Sequence, residues 1–133
     1  MTRQRYDEHS TEFGLWLRKP ERKEIDSSLG FVTTNIDYIW KNYKTGKYML
    51  IEEKRYLSKL TYSQSKIMQS IDNVLKKDSN YCGFYLLQFE KTNPDDGKIF
   101  LNSIEITKNQ LIEFLCFEVK IFRLLKEAIN DKQ

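Results

Sequence analysis

Histidine and cysteine are nearly absent from this chain of 133 residues, which carries one His and two Cys. That scarcity removes most thiol and imidazole chemistry. Cys82 and Cys116 are far apart, lie in apolar segments and have no metal-ligand spacing, so they are expected as buried, reduced thiols. His9 neighbours no cysteine, which excludes a local Cys-His nucleophile. No Gly-x-Ser-x-Gly elbow supports a serine hydrolase, and no Gly-x-x-x-x-Gly-Lys loop supports nucleotide hydrolysis. Long apolar runs and a cleavable leader are missing too, so membrane insertion and secretion are not expected and the predicted location is cytoplasmic. Repeats, low-complexity stretches and linkers are also missing. The expectation is one domain over 1–133, large enough to bury about two thirds of its unfolded surface.

What is present is acidic, basic and aromatic. Asn35 to Tyr43 and Tyr48 to Tyr56 are rich in aromatic and β-branched residues and flank Lys44-Thr45-Gly46-Lys47, the pattern of a β-hairpin. Strand residues two apart share a face, so Glu52 and Lys54 point one way and Glu53 the other. A two-residue Thr45-Gly46 turn would set Asp37 directly opposite Lys54, on that same face. Asp37, Glu52 and Lys54 then converge. Two close carboxylates repel one another, and a hard cation such as Mg²⁺ relieves that repulsion while retaining waters. A lysine beside them can orient a water or offset charge on a phosphoryl oxygen. The competing reading is an ordinary Asp37–Lys54 cross-strand ion pair, worth at most about 1 kcal/mol. The apolar character of both faces weighs against it, because charges embedded in central strands are costly unless paired or metal-bound.

Other elements follow from periodicity. An N-terminal helix is expected over Glu8 to Arg18, with Phe13, Trp16 and Leu17 as its core stripe. Ser63 to Lys77 reads as a helix with Ile67, Ile71, Val74 and Leu75 on one stripe, and Gln64 in its first turn. Tyr81 to Glu90 reads as a buried strand, Asn93 to Gly97 as a turn, and Lys98 to Ile106 as the returning strand. Asp95-Asp96 belongs to that turn and reads as a solvated loop tip, not a metal site. From Thr107, a plausible N-cap, apolar spacing marks one long final helix or two short ones. The order is helix, hairpin, helix, hairpin, helix: an α/β fold with a mixed central β-sheet flanked by helices.

Asp37, fourteen intervening residues and Glu52-x-Lys54 on consecutive strands resemble the metal-binding signature of the PD-(D/E)XK nuclease superfamily, the restriction-endonuclease-like fold. The preceding acidic helix and the following amphipathic one stand where that fold has them, and the likeness covers roughly 8–90. Asn35-Ile36-Asp37 replaces the proline-aspartate element. The resemblance implies a metal-dependent endonuclease that hydrolyses phosphodiester bonds, expected in DNA. It implies Mg²⁺ or Mn²⁺ held by Asp37, Glu52 and the main-chain carbonyl of Glu53, with Lys54 catalytic. Glu12, or Glu8 one turn earlier, would complete the acid shell, and Gln64 would support the lysine.

Archaeal Holliday junction resolvases are similar in length and in the order Glu, Asp, Glu-x-Lys, with Ser27 or Ser28 standing for a serine near the aspartate. A phage or mobile-element nuclease fits equally well. A homodimer is expected for any double-strand or junction cut, since one site cuts one strand.

The net charge of +3 is mild, yet Lys41, Lys44, Lys47, Lys54, Arg55 and Lys59 gather in the hairpin region. Of these Lys41, Lys44, Arg55 and Lys59 are the expected nucleic-acid contacts. Arg18, Lys19, Arg22 and Lys23 form another basic cluster. The alternative function is a non-catalytic nucleic-acid-binding or protein-interaction module that retains the fold, which the aromatic content of 14% also fits.

Overall fold

The computed structural model describes residues 12–131. Glu8 and His9 therefore lie outside the described residues. The chain divides into two compact units, 1–33 and 34–133.

In the first unit, α1 (Glu12–Leu17) has six residues and buries none of them. The expected stripe is not a core: Phe13 and Trp16 are exposed and stack on each other with ring centroids 6.0 Å apart. The Arg22 guanidinium sits 4.5 Å over the Trp16 ring. A helix of under two turns presents too narrow a face to bury, so the aromatic pair and its cation–π partner cover one another. Two 3₁₀ turns follow, Lys23–Ile25 and Ser27–Leu29. Asp26 caps the second by accepting from the Ser28 amide at 3.2 Å and hydroxyl at 2.6 Å.

The second unit holds a five-stranded mixed sheet in the order β1-β2-β3-β4-β5. β1 (Tyr38–Lys41) and β2 (Tyr48–Lys54) form the expected hairpin. Its turn is longer than two residues. The Asn42 amide donates to the Lys47 carbonyl at 2.9 Å, and the Asn42 side-chain oxygen accepts from the Lys44 amide at 2.9 Å. Gly46 takes φ 84°, in the left-handed region, and a Cβ there would come within 3.0 Å of the Asn80 side chain. The register is therefore Tyr38↔Ile51 through Lys41↔Tyr48, which sets Asp37 beside Glu52, not Lys54. The slip is two residues, so each side chain keeps its expected face.

β2 passes through α2 (Tyr62–Leu75) to β3 (Tyr81–Phe89), which pairs with it in parallel. Thr61 and Gln64 form a capping box that fixes the start of α2. On the buried stripe Met68, 1% exposed, takes the place expected for Val74, which is 65% exposed. At about 100° per residue, Ile67, Ile71, Leu75 and Met68 span an arc centred near Gln64, and Val74 lies roughly 80° from that centre.

β4 (Ile99–Leu101) and β5 (Ile104–Ile106) replace the single returning strand. Asn102 and Ser103 both have positive φ, 50° and 69°, the backbone of a tight type I′ hairpin. Asn102 is tied to β3 by two bonds with Leu86, each 2.9 Å. In the preceding loop the Asp96 carboxylate accepts from the Thr92 and Asn93 amides at 3.1 Å, and Asp95 pairs with Lys108 at 2.6 Å.

α3 (Lys108–Leu115) begins at the Thr107 cap, and α4 (Val119–Asp131) follows a break at Phe117, φ 59°. Met49, Ile51, Leu87 and Phe89 pack on Phe114, Ile121 and Leu125 of these helices. The Tyr85, Phe114 and Phe122 rings meet there at 4.9–5.7 Å. Among the described residues no helix is long and apolar enough to cross a membrane.

Candidate active site

β2 is paired on both edges, and its side chains alternate between two faces that are both buried over Met49 to Glu52. Met49 and Ile51 enter the α3–α4 core, while Leu50, Glu52 and Lys54 point to the α2 side. Glu52 is only 4% exposed. Its neighbour across the hairpin lies just before β1 begins, where the ladder has opened. There the Asp37 side chain takes over the ladder's role. Asp37 Oδ2 accepts from the Glu53 amide at 2.8 Å, and the Asp37 amide donates to Glu52 Oε1 at 3.4 Å.

Burial first, and the Asp37 charge second, push the Glu52 carboxyl from its ordinary 4.5 up to about 7; the Asp37 amide and the Lys54 charge oppose that rise. Lys54 is held from the helix: its Nζ donates to Gln64 Oε1 at 3.2 Å. The same oxygen accepts from the Thr61 amide at 3.1 Å, so the residue that caps α2 also anchors the lysine.

Glu53 points away, as its place in the strand requires. Its side chain accepts from Tyr38 Oη at 2.9 Å and lies 3.7 Å from Arg55. Arg55 is thus engaged on the face opposite Glu52. In a strand a residue's N–H and C=O point to the same side, so the Glu53 carbonyl is directed to the side where its amide meets Asp37.

The basic residues do not form one cluster. Lys41 and Lys44 lie at the turn end of the hairpin, where Lys41 Nζ is 5.7 Å over the Tyr48 ring. That end is about 13 Å from Glu52 at the rise of a β-strand. Lys59 is exposed in the loop at the opposite end, after β2. Glu12 opens α1 in the first unit and is exposed. The carboxylates brought together in the second unit are Asp37 and Glu52.

Sequence reasoning passed over Gln88. It pairs with Lys54 across the parallel ladder, is buried, and donates to the Ser58 carbonyl at 2.8 Å. It holds the loop after Lys54, in which Tyr56 and Leu57 both adopt left-handed φ, 53° and 56°. Their amides are pinned to the Lys91 and Phe89 carbonyls at 2.9 Å. The available signal was a lone amide inside the apolar run Leu86-Leu87-Gln88-Phe89.

The donor set suits a small divalent ion. Two carboxylates adjoin, one is pushed towards its neutral form by burial and by the other's charge, and a main-chain carbonyl is aimed at the same side. Mg²⁺ needs only one or two protein carboxylates because it keeps waters. Among the described residues no group of three or more Asp, Glu, His or Cys side chains gathers, so the side-chain donors are these two.

A protein of Archaeoglobus fulgidus described as uncharacterized is 24% identical over 125 aligned positions, which cover 78% of this chain and 80% of that protein. No protein-family model and no solved structure matches the chain.

Proposed function

We propose that the chain is a Mg²⁺-dependent endonuclease of the PD-(D/E)XK kind, cutting phosphodiester bonds in DNA as a homodimer. The observation that carries this reading is the meeting of Asp37, Glu52 and Lys54 on one face, with Lys54 anchored by Gln64. Asp37, Glu52 and the Glu53 carbonyl would hold the ion. When bound, the ion supplies Lewis acidity to a phosphoryl oxygen and to water.

The protein supplies placement. Gln64 and the capped start of α2 restrict the Lys54 ammonium, which can orient the attacking water and offset negative charge developing on the phosphoryl group. Asp37, held by the Glu53 amide, keeps its orientation without help from substrate. Burial of Glu52 keeps bulk water from that carboxyl and strengthens its interaction with a cation, while Asp37 is exposed and leaves the site open to substrate.

The test is cleavage of supercoiled plasmid and a synthetic four-way junction with Mg²⁺ or Mn²⁺, with EDTA and Lys54→Ala as controls. Cutting that needs metal and disappears in a folded Lys54→Ala protein is expected. Full activity in that variant would remove the mechanism, and binding without cutting would favour a non-catalytic nucleic-acid-binding module.

A further inference from the structure

On the face of the hairpin opposite Glu52, an open cavity of about 350 Å³ is lined by Trp40, Lys41, Asn42, Tyr43, Lys44, Leu115 and Phe117. Its size is at the lower end of that of small-ligand sites.

Trp40 is fixed in place: its indole N–H donates to the Leu115 carbonyl at 2.7 Å, satisfying an orphan acceptor in the last turn of α3. With that polar atom engaged, the ring, 42% exposed, offers its apolar surface. Phe117 is buried and stacks on Phe122 with centroids 6.4 Å apart, giving a firm aromatic base. Tyr43 is 84% exposed on a turn closed by the Asn42 bonds. The lining includes Lys44 and Lys41 and no acid, with the Lys41 ammonium itself turned over the Tyr48 ring on the other face.

Rigid aromatic surface beside positive charge is the chemistry that takes an unpaired nucleobase and its phosphate, since stacking accepts any base and the lysine meets the backbone. An acidic peptide shares the charge but does not need two exposed rings.

We propose that this pocket binds single-stranded DNA, with Tyr43 and Trp40 stacking on a base and Lys44 contacting its phosphate. The inference takes its ligand class, a nucleic acid, from the proposed function. It adds a route. β1 is the edge strand, all four of its residues are exposed, and Lys41 projects to the Glu52 face while Trp40 projects to the pocket face. Along β1 Trp40 is three strand residues, about 10 Å, from Asp37, and a strand running from the acids to the pocket also crosses from one face of that edge to the other. A branched or frayed substrate supplies such a strand, and an intact duplex does not.

The experiment is fluorescence anisotropy of labelled oligothymidylate with the full chain in EDTA, at several salt concentrations. Tyr43→Ala should weaken binding roughly 5- to 100-fold, and Tyr43→Phe should restore it, because stacking needs the ring and not the hydroxyl. Lys44→Gln should lower the slope of log affinity against log salt by about 0.7. Unchanged affinity in a folded Tyr43→Ala protein, or no binding of the oligonucleotide at all, overturns the pocket assignment. Metal-dependent plasmid cutting in that same case would leave the nuclease reading standing. Tyr43-dependent binding without cutting of any substrate would do the reverse.

Discussion

Replacing Glu52 by Gln should make the metal-free protein more stable at alkaline pH. In the folded chain the Glu52 carboxyl is pushed up to about 7 by burial and by the Asp37 charge, against an ordinary 4.5. Between those values the folded state binds a proton that the unfolded chain has released. Stability is therefore full below about 4.5 and is lost as pH rises through about 7. At 1.36 kcal/mol per pH unit, the loss approaches about 3 kcal/mol by pH 8.

Glutamine mimics the protonated carboxyl. Its carbonyl can accept the Asp37 amide and its NH₂ can donate to the Asp37 carboxylate. Urea unfolding of both proteins in EDTA, at intervals from pH 4.5 to 8.5, measures the effect directly. The two curves should coincide at the acid end and diverge by up to about 3 kcal/mol at the alkaline end, Glu52→Gln being the more stable. Saturating Mg²⁺ at pH 8 should return about 2.7 kcal/mol to the natural chain at a hundredfold excess over Kd, and little to the variant. Parallel curves in EDTA would refute the argument, because they would mean that Glu52 is not the group held near neutrality.

Other expectations concern its neighbours. Gln64→Ala should cost about 1 kcal/mol by unfolding, from loss of the capping box, and should slow cleavage about a hundredfold because Lys54 loses its anchor. Gln88→Leu leaves the Ser58 carbonyl unpaired; a loss of about 1–3 kcal/mol and faster proteolytic nicking within 55–60 are expected. Phe114→Ala, which removes the ring between Tyr85 and Phe122, should cost about 3–5 kcal/mol in urea unfolding.

How far the site was legible depended on which physical rule governed each part. The face shared by Asp37, Glu52 and Lys54 was legible because side-chain alternation has a period of two and survives a two-residue slip. The pairing partner was not, since it hinges on how Asn42 folds the turn through its own side chain. Thr61-x-x-Gln64 and Thr107-x-x-Gln110 both form capping boxes, local events that depend on a few neighbouring atoms. The anchoring of Lys54 by Gln64 required the angle at which α2 crosses the sheet. The split between β4 and β5 was missed because Asn102 and Ser103 must both adopt positive φ, uncommon for residues other than glycine.

By itself the sequence determined the alternation of helix and strand, the hairpin, the helix caps and the chemical types gathered near Asp37, because each depends on periodicity or on bonds between near neighbours. Only the tertiary structure decided that Glu52 is buried while β1 is exposed, that Met68 and not Val74 enters the interior, and that Gln88 supports the loop after Lys54. Those outcomes depend on which surfaces meet across long sequence separations, and burial against a distant element leaves no mark on the residues adjoining it in the chain.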